Sequence, residues 1–414
     1  MPTKTAKKKT SRSDSAVAPI SEAEYRARVA TIQKAMARER LDALLITSED
    51  NYRYITGFNS PTWHNLTRPR YCIVPLAGDP TVVVPANNTA IVEETSWVKD
   101  VKWWIAPCPA DDGVTLTVEA LKARAGRFNR VGAELGPQSR LTMPVGDFFR
   151  IKAAMVPTEI VDGDWMLREI RMVKSPAEIE HLRFVGQAVS RAFEALPRRI
   201  AAGETEKQVA EKLQADFLRR GVEKIPYLVG VSGAGGYRNI HLSPQDRVLR
   251  RGDILVFDTG CSYKGYYCDF DREYSFGKPT DRIRRMYDIV WKATQAGIDA
   301  VRPGATCSDI WNAQAKIILA AKETSGLDFD LAKNGRMGHG LGMRMCEPPS
   351  IHPEDYTVLK PGMTLTIEPG ISYTHDGKNG PEPRVMVHEE NVAVTGDGVT
   401  MLTRRAPPEM SVVR

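Results

Sequence analysis

Two aspartates, Asp258 and Asp269, lie in a run of strand-forming residues, ILVFDTGCSYKGYYCDFDREYSFG (254–277). A carboxylate without a partner is expensive to bury, so either both face solvent or something cationic compensates them. If the chain reverses near Tyr263 and Lys264, the two face each other across a hairpin with Cβ atoms about 5 Å apart. At that separation they repel unless a proton or a metal ion intervenes. Three further groups stand downstream in strand-like or Gly-flanked settings: His339 in MGHGLG, Glu368 in LTIEPG and Glu389 in MVHEENVAVT. Four carboxylates and an imidazole are a hard, oxygen-rich donor set. They suit two divalent ions, Mn²⁺, Co²⁺, Fe²⁺ or Zn²⁺, better than a thiolate zinc site. Two such ions about 3.5–4 Å apart can share a water, lower its pKa and polarise a carbonyl. Taken singly, each residue also has an ordinary reading. Asp258 can be a turn residue, Glu389 or Glu390 an exposed strand charge, and His241 (in NIHLSP) a surface loop histidine.

These groups need elements to position them. The chain has 414 residues, too many for one ordinary core, which points to two domains or three. From Ser21 the pattern is helical, with Tyr25, Val29, Ile32 and Met36 at spacings of three and four and Glu24 placed for a capping box. Short apolar runs then alternate with helical stretches to about residue 165, predicting a small α/β domain. Ser175-Pro176 with Glu178 opens a second half. There the spacing predicts helices from Pro176, from about Glu206, over about 281–300 and from Cys307 to about Ser325. Hairpins lie between them, so the fold class is α+β. Asp271 is expected to anchor Arg272.

Composition narrows the class. No apolar run approaches the roughly 18 residues that span a bilayer. The opening MPTKTAKKKTSRSDSAVAP lacks the apolar core of a secretory signal, so a cytoplasmic protein is expected. Net charge is +6, but without Lys4, Lys7, Lys8, Lys9 and Arg12 the body is nearly neutral. The first 20 residues therefore read as a disordered basic tail, with no membrane and no specific nucleic-acid partner. The six cysteines show no paired spacing, as reduced thiols would.

The ordered series GDILVFDTG, GYYCDFDREYSFG, MGHGLGM, PGMTLTIEPGI and HEENVAVT resembles the M24 metallopeptidase superfamily, whose members include Xaa-Pro dipeptidase, aminopeptidase P and creatinase. The resemblance implies a pita-bread catalytic domain over 169–414, preceded by a creatinase/prolidase-type domain over 21–168. It implies a homodimer, a dinuclear metal centre with Mn²⁺ first among the candidates, and hydrolysis of a C–N bond in a small peptide or small amide. Asp258 would chelate one ion and Asp269 bridge both. His339 and Glu368 would hold the other ion, and Glu389 would be the second bridge. Glu368 would also carry a proton, and His241 would hydrogen-bond the substrate.

The series departs from the family pattern at three places. Cys346 stands where such peptidases have a second histidine, Gly335-Arg336-Met337 where another often lies upstream, and Val387 where an arginine precedes the last glutamate. These departures fall in the substrate shell, with Cys346, Arg344 and His241 as its candidate residues. In the loop ITGFNSPTWHNLTRPRYCIVP, Trp63, His64, Arg68 and Arg70 are further candidates for recognition. Alternatives of other kinds are a creatinase-like hydrolase of a non-peptide amide and a non-catalytic binding module.

Overall fold

Runs of β-branched and aromatic residues become strands here because such side chains fit a pleated, half-buried surface. The computed structural model describes residues 17–325, 335–377 and 380–414. The basic segment 1–16 thus lies outside the described residues, and Val17 is half-buried against the second half of the chain. In the first half, β1 (Ala43–Ile46), β2 (Tyr71–Pro75), β3 (Thr81–Pro85), β4 (Asp100–Trp104), β5 (Arg130–Ala133) and β6 (Glu159–Asp162) form one mixed sheet in the order β4-β3-β2-β1-β5-β6. β1 to β3 are buried throughout, with apolar clusters on both faces.

The second half holds three sheets. β7 (Lys224–Ala234), β8 (Asp253–Tyr263) and β9 (Tyr266–Phe276) form an antiparallel meander that β17 (Ser411–Val413) extends. β10 (His339–Gly340), β11 (Glu347–Ser350), β12 (Thr364–Ile367), β15 (Glu390–Val394) and β16 (Val399–Met401) form the second, and β13 (Gly370–Gly377) pairs with β14 (Gly380–Val387) as a hairpin. Helices Pro176–Ala195 and Glu206–Arg219 cover one face of the meander. Helices Asp281–Ala300 and Cys307–Ser325 back the other side of the site.

The caps work largely as the sequence predicts. Ser175 and Glu178 close a full capping box on Pro176, and Thr205 with Gln208 closes another. Ser21 accepts a hydrogen bond from the Glu24 amide at 3.2 Å, but the Glu24 carboxylate does not close the box. It accepts instead from Arg28 and from the Ser175 hydroxyl, both at 2.7 Å, tying the first helix of one half to the cap of the other. Helix Asp164–Met172 runs unbroken through the expected junction at 168/169. Its Met166 and Leu167 belong to a core cluster that also takes in Tyr266, Leu341 and Met343, so packing carries the helix past that point.

A buried ionic lattice crosses the seam. Arg171 pairs with Asp50 and, at 2.8 Å, with Glu347, while Lys174 reaches the other Glu347 oxygen at 2.7 Å. Burial alone would raise the Asp50 carboxyl, yet Arg171 and Arg344 hold it at about 2. Removing one partner leaves an uncompensated buried charge. Arg171→Met is therefore expected to lower stability by about 3–5 kcal/mol, read from urea unfolding. A loss below 1 kcal/mol would mean that water compensates Asp50 and Glu347.

Candidate metal centre and active site

Alternation along β8 and β9 sorts the side chains. Phe257, Cys261, Cys268 and Phe270 pack in the cluster beneath helix Pro176–Ala195, while Asp258, Asp269, Asp271 and Glu273 share the opposite face. The chain turns at Lys264 and Gly265, both at positive φ (+52° and +84°), the signature of a tight two-residue hairpin turn. That turn is one residue later than the sequence reading placed it. Asp258 consequently opposes Asp271, and Asp269 opposes Gly260. The two aspartates are diagonal neighbours on one face rather than a directly facing pair. Gly260 is required there, because a Cβ would stand 2.1 Å from Met345 Sδ and 2.6 Å from the Tyr227 ring.

Tyr227 is the residue that sequence reading missed. A register shift between Lys224 and Tyr227 breaks the ladder at Pro226. The Tyr227 hydroxyl contacts Asp258 Oδ1 at 2.9 Å and also Asp269 Oδ1, so it spans both carboxylates. Proline inside a strand-like run was the available signal.

The remaining groups come from the second sheet. The His339 amide donates to Thr366 Oγ1 at 3.1 Å, and its Nδ1 lies 2.9 Å from the Gly340 carbonyl, an acceptor only. The proton therefore sits on Nδ1, and Nε2 presents its lone pair 3.6 Å from Asp269 Oδ2. Asp269, His339 and Glu389 each offer a ligand atom within 4.8 Å of one another. Glu368 follows β12 and lines a cavity of about 730 Å³ together with Asp258, Asp269, His339 and His241. Neither Glu389 nor Glu390 is an exposed strand charge, for both are buried. Glu390 takes two bonds from Arg272 at 2.9 and 3.1 Å, whereas Glu389 Oε1 has no hydrogen-bond partner. Arg272 thus pairs with Glu390, and Asp271 Oδ1 accepts from the Glu389 amide at 3.2 Å instead of anchoring Arg272. Asn391 grips the Asp269 backbone on both sides, its Oδ1 accepting from the amide at 3.0 Å and its Nδ2 donating to the carbonyl.

Crowding sets the electrostatics. Burial raises Asp258 to about 6 against the pull of the Tyr227 hydroxyl and His241. Burial, and then the charge of Asp258, raises Glu368 to about 7. Asp269 and Glu389 are also pushed up, by burial first and by neighbouring carboxylates second. Burial and then Arg336 lower His339 to about 4, keeping its imidazole neutral. The cluster lacks a positive charge at its centre.

The substrate-side candidates divide. His241 is exposed at the cavity mouth, and Cys346 is exposed on its rim. Arg344 is turned away: it pairs with Asp50 and lines a neighbouring cavity of about 330 Å³ against the first half. Trp63 and Arg70 are buried, stacked at 5.1 Å, and Arg70 donates to Asn88 at 2.6 Å, so they brace the loop.

A two-part molecule whose second half wraps sheets and helices around a buried acid cluster is a hydrolase architecture of the pita-bread type. Residues 180–396 match the metallopeptidase family M24, and residues 28–173 match the creatinase/prolidase N-terminal domain. The chain belongs to metallopeptidase family M24 and is a peptidase of that type. It is 31% identical to the probable dipeptidase PepE of Mycobacterium tuberculosis, over 94% of this chain and 96% of that one. The solved dipeptidase PepE of Mycobacterium ulcerans superposes with a TM-score of 0.77 at 30% identity, covering 94% of this chain and 98% of the other. The prolidase of Pyrococcus horikoshii superposes at 0.75 with 25% identity, covering 92% and 99%. No helix among the described residues is long and apolar enough to cross a membrane.

Members of this family use divalent metal ions, and the residues present fit such ions. The partnerless Glu389 oxygen, the neutral imidazole lone pair and the raised carboxyls are the donors a hard cation would satisfy. Carboxyls raised in the folded state stabilise the metal-free protein below their unfolded values, near 4, and that contribution is lost as pH rises through 6 to 7. The metal-free protein should therefore lose Tm between pH 5 and 8, while the stabilisation by added Mn²⁺ grows over the same range. Scanning calorimetry with and without metal checks both trends, and a flat metal-free profile would contradict them. Asn391→Ala frees the Asp269 backbone and is expected to weaken Mn²⁺ binding by about 10- to 100-fold with the fold retained, measured by titration calorimetry.

Proposed function

We propose that this peptidase cleaves short peptides, with Xaa-Pro dipeptides as leading substrates, at a centre of two divalent ions held by Asp258, Asp269, His339, Glu368 and Glu389. The observation behind this reading is the convergence of four buried carboxylates on a cavity with one Glu389 oxygen left partnerless. Bound there, the ions would supply a polarised carbonyl and an activated water. Glu368, raised to about 7, is suited to accept a proton near neutrality and return it to the leaving nitrogen. His241 at the mouth can donate to the substrate carbonyl oxygen as it gains charge. Tyr227 holds Asp258 and Asp269 in register. Ile240, Val229 and Pro244 give the cavity an apolar wall that suits a pyrrolidine ring. A homodimer, a cytoplasmic setting and Mn²⁺ as the working metal belong to the same reading, as does a division into two domains at the link 173–175.

The test is to strip the protein, confirm metal content by mass spectrometry, and reload it with Mn²⁺, Co²⁺ or Zn²⁺ before assaying a dipeptide panel. Activity should vanish and return with metal. Full turnover at nil metal would overturn the centre.

Cys346 favours a second reading, creatinase-like hydrolysis of a non-peptide amide. A thiol is a weak, short donor where a histidine would reach the tetrahedral oxygen. Cys346→His is expected to raise Xaa-Pro turnover by about tenfold or more. If the native protein already turns over these dipeptides at ordinary rates and the variant changes nothing, Cys346 has no part in specificity.

A further inference from the structure

Past Glu368 the carboxylate cavity continues into a second space of about 550 Å³, the two sharing His241, Arg336 and Glu368. Its walls are apolar, with Met337, Ile371 and Val387, and it is bordered by Arg238 and Arg336. Both arginines are exposed, and neither makes an ion pair among the described residues. Other guanidiniums near the site are engaged: Arg272 by Glu390, Arg344 by Asp50, Arg384 by Glu382 and Arg405 by Glu390. Arg336 is close enough to the cluster to oppose the rise of Asp269 and Glu368, yet it forms no bond to either. A solvated surface arginine would explain its exposure but not its place on the wall of both cavities.

We propose that Arg336, assisted by Arg238, forms a carboxylate-binding subsite for the free carboxylate of the substrate, at the end of the groove away from Cys346. The planar fork of a guanidinium matches a carboxylate with two parallel hydrogen bonds. Val387 is short and leaves room for such a group to enter. The substrate class is then a short peptide or N-acyl amino acid with a free carboxylate just beyond the scissile bond. Peptides blocked there as amides would be poor ligands. This inference rests on the hydrolase reading above and deepens it.

Two ligand pairs that differ only in the carboxylate separate the two claims. Turnover is compared for Ala-Pro and alanyl-prolinamide, and binding to the Mn²⁺-loaded protein is compared for proline and prolinamide by calorimetry. The native protein should prefer the carboxylate form by about 10- to 100-fold in both assays. Arg336→Met should collapse that preference to within about threefold, Arg336→Lys should retain part of it, and Arg238→Met should reduce it less. A carboxylate held only by metal would keep the preference in every variant, which would overturn the subsite. Equal binding of proline and prolinamide to the native protein would overturn it too. If neither peptide is cleaved, the peptidase substrate is wrong, and the calorimetric ratio still decides for or against Arg336.

Discussion

Four carboxylates share one poorly hydrated cavity, and their mutual repulsion governs how the second half of the chain is arranged. Two unit charges 4 Å apart repel by about 4 kcal/mol at an effective dielectric of 20, comparable with much of a domain's net stability. The structure confines this cost. The two glutamates at 389 and 390 are sent to opposite environments, one locked to Arg272 and the other left facing the cavity. Asn391 and Tyr227 then hold the strained set in place without adding charge that would neutralise it. The unfavourable energy is kept available for a cation.

Much of this was legible in the sequence, for physical reasons that differ by element. Helices announced themselves through Ser175, Thr205 and their partners three residues on, because capping is local chemistry. The five clustered site groups were legible because buried charge is rare and their order along the chain resembles a known pattern. The hairpin register was less so. Placing the turn one residue early makes Asp258 face Asp269, and only the positive φ at Lys264 and Gly265 shows the diagonal arrangement. Arg344 could not be placed from sequence, since its partner Asp50 lies in the other half of the chain. Tyr227 and Asn391 escaped for the same reason: both act through tertiary contacts with no local signature.

The seam between the halves also bears on the site. The segment from His339 to Glu347 begins at an imidazole facing Asp269 and ends at a carboxylate held by Arg171 and Lys174. Arg344, within it, is fastened to Asp50. The rim that bears Cys346 is therefore set partly by the first half, which shapes the cavity mouth without contributing to its floor.

Strand geometry has a last consequence, for descent rather than for chemistry. Side chains on β8 and β9 alternate between a helix-covered core and the acid cluster. Inserting or deleting one residue in either strand would swing an aspartate into the apolar side and a phenylalanine into the cavity. Substitutions along this hairpin can be absorbed one at a time, whereas changes of length cannot. Lineages of this chain should drift freely in loop length around the first sheet while these two strands keep their residue count.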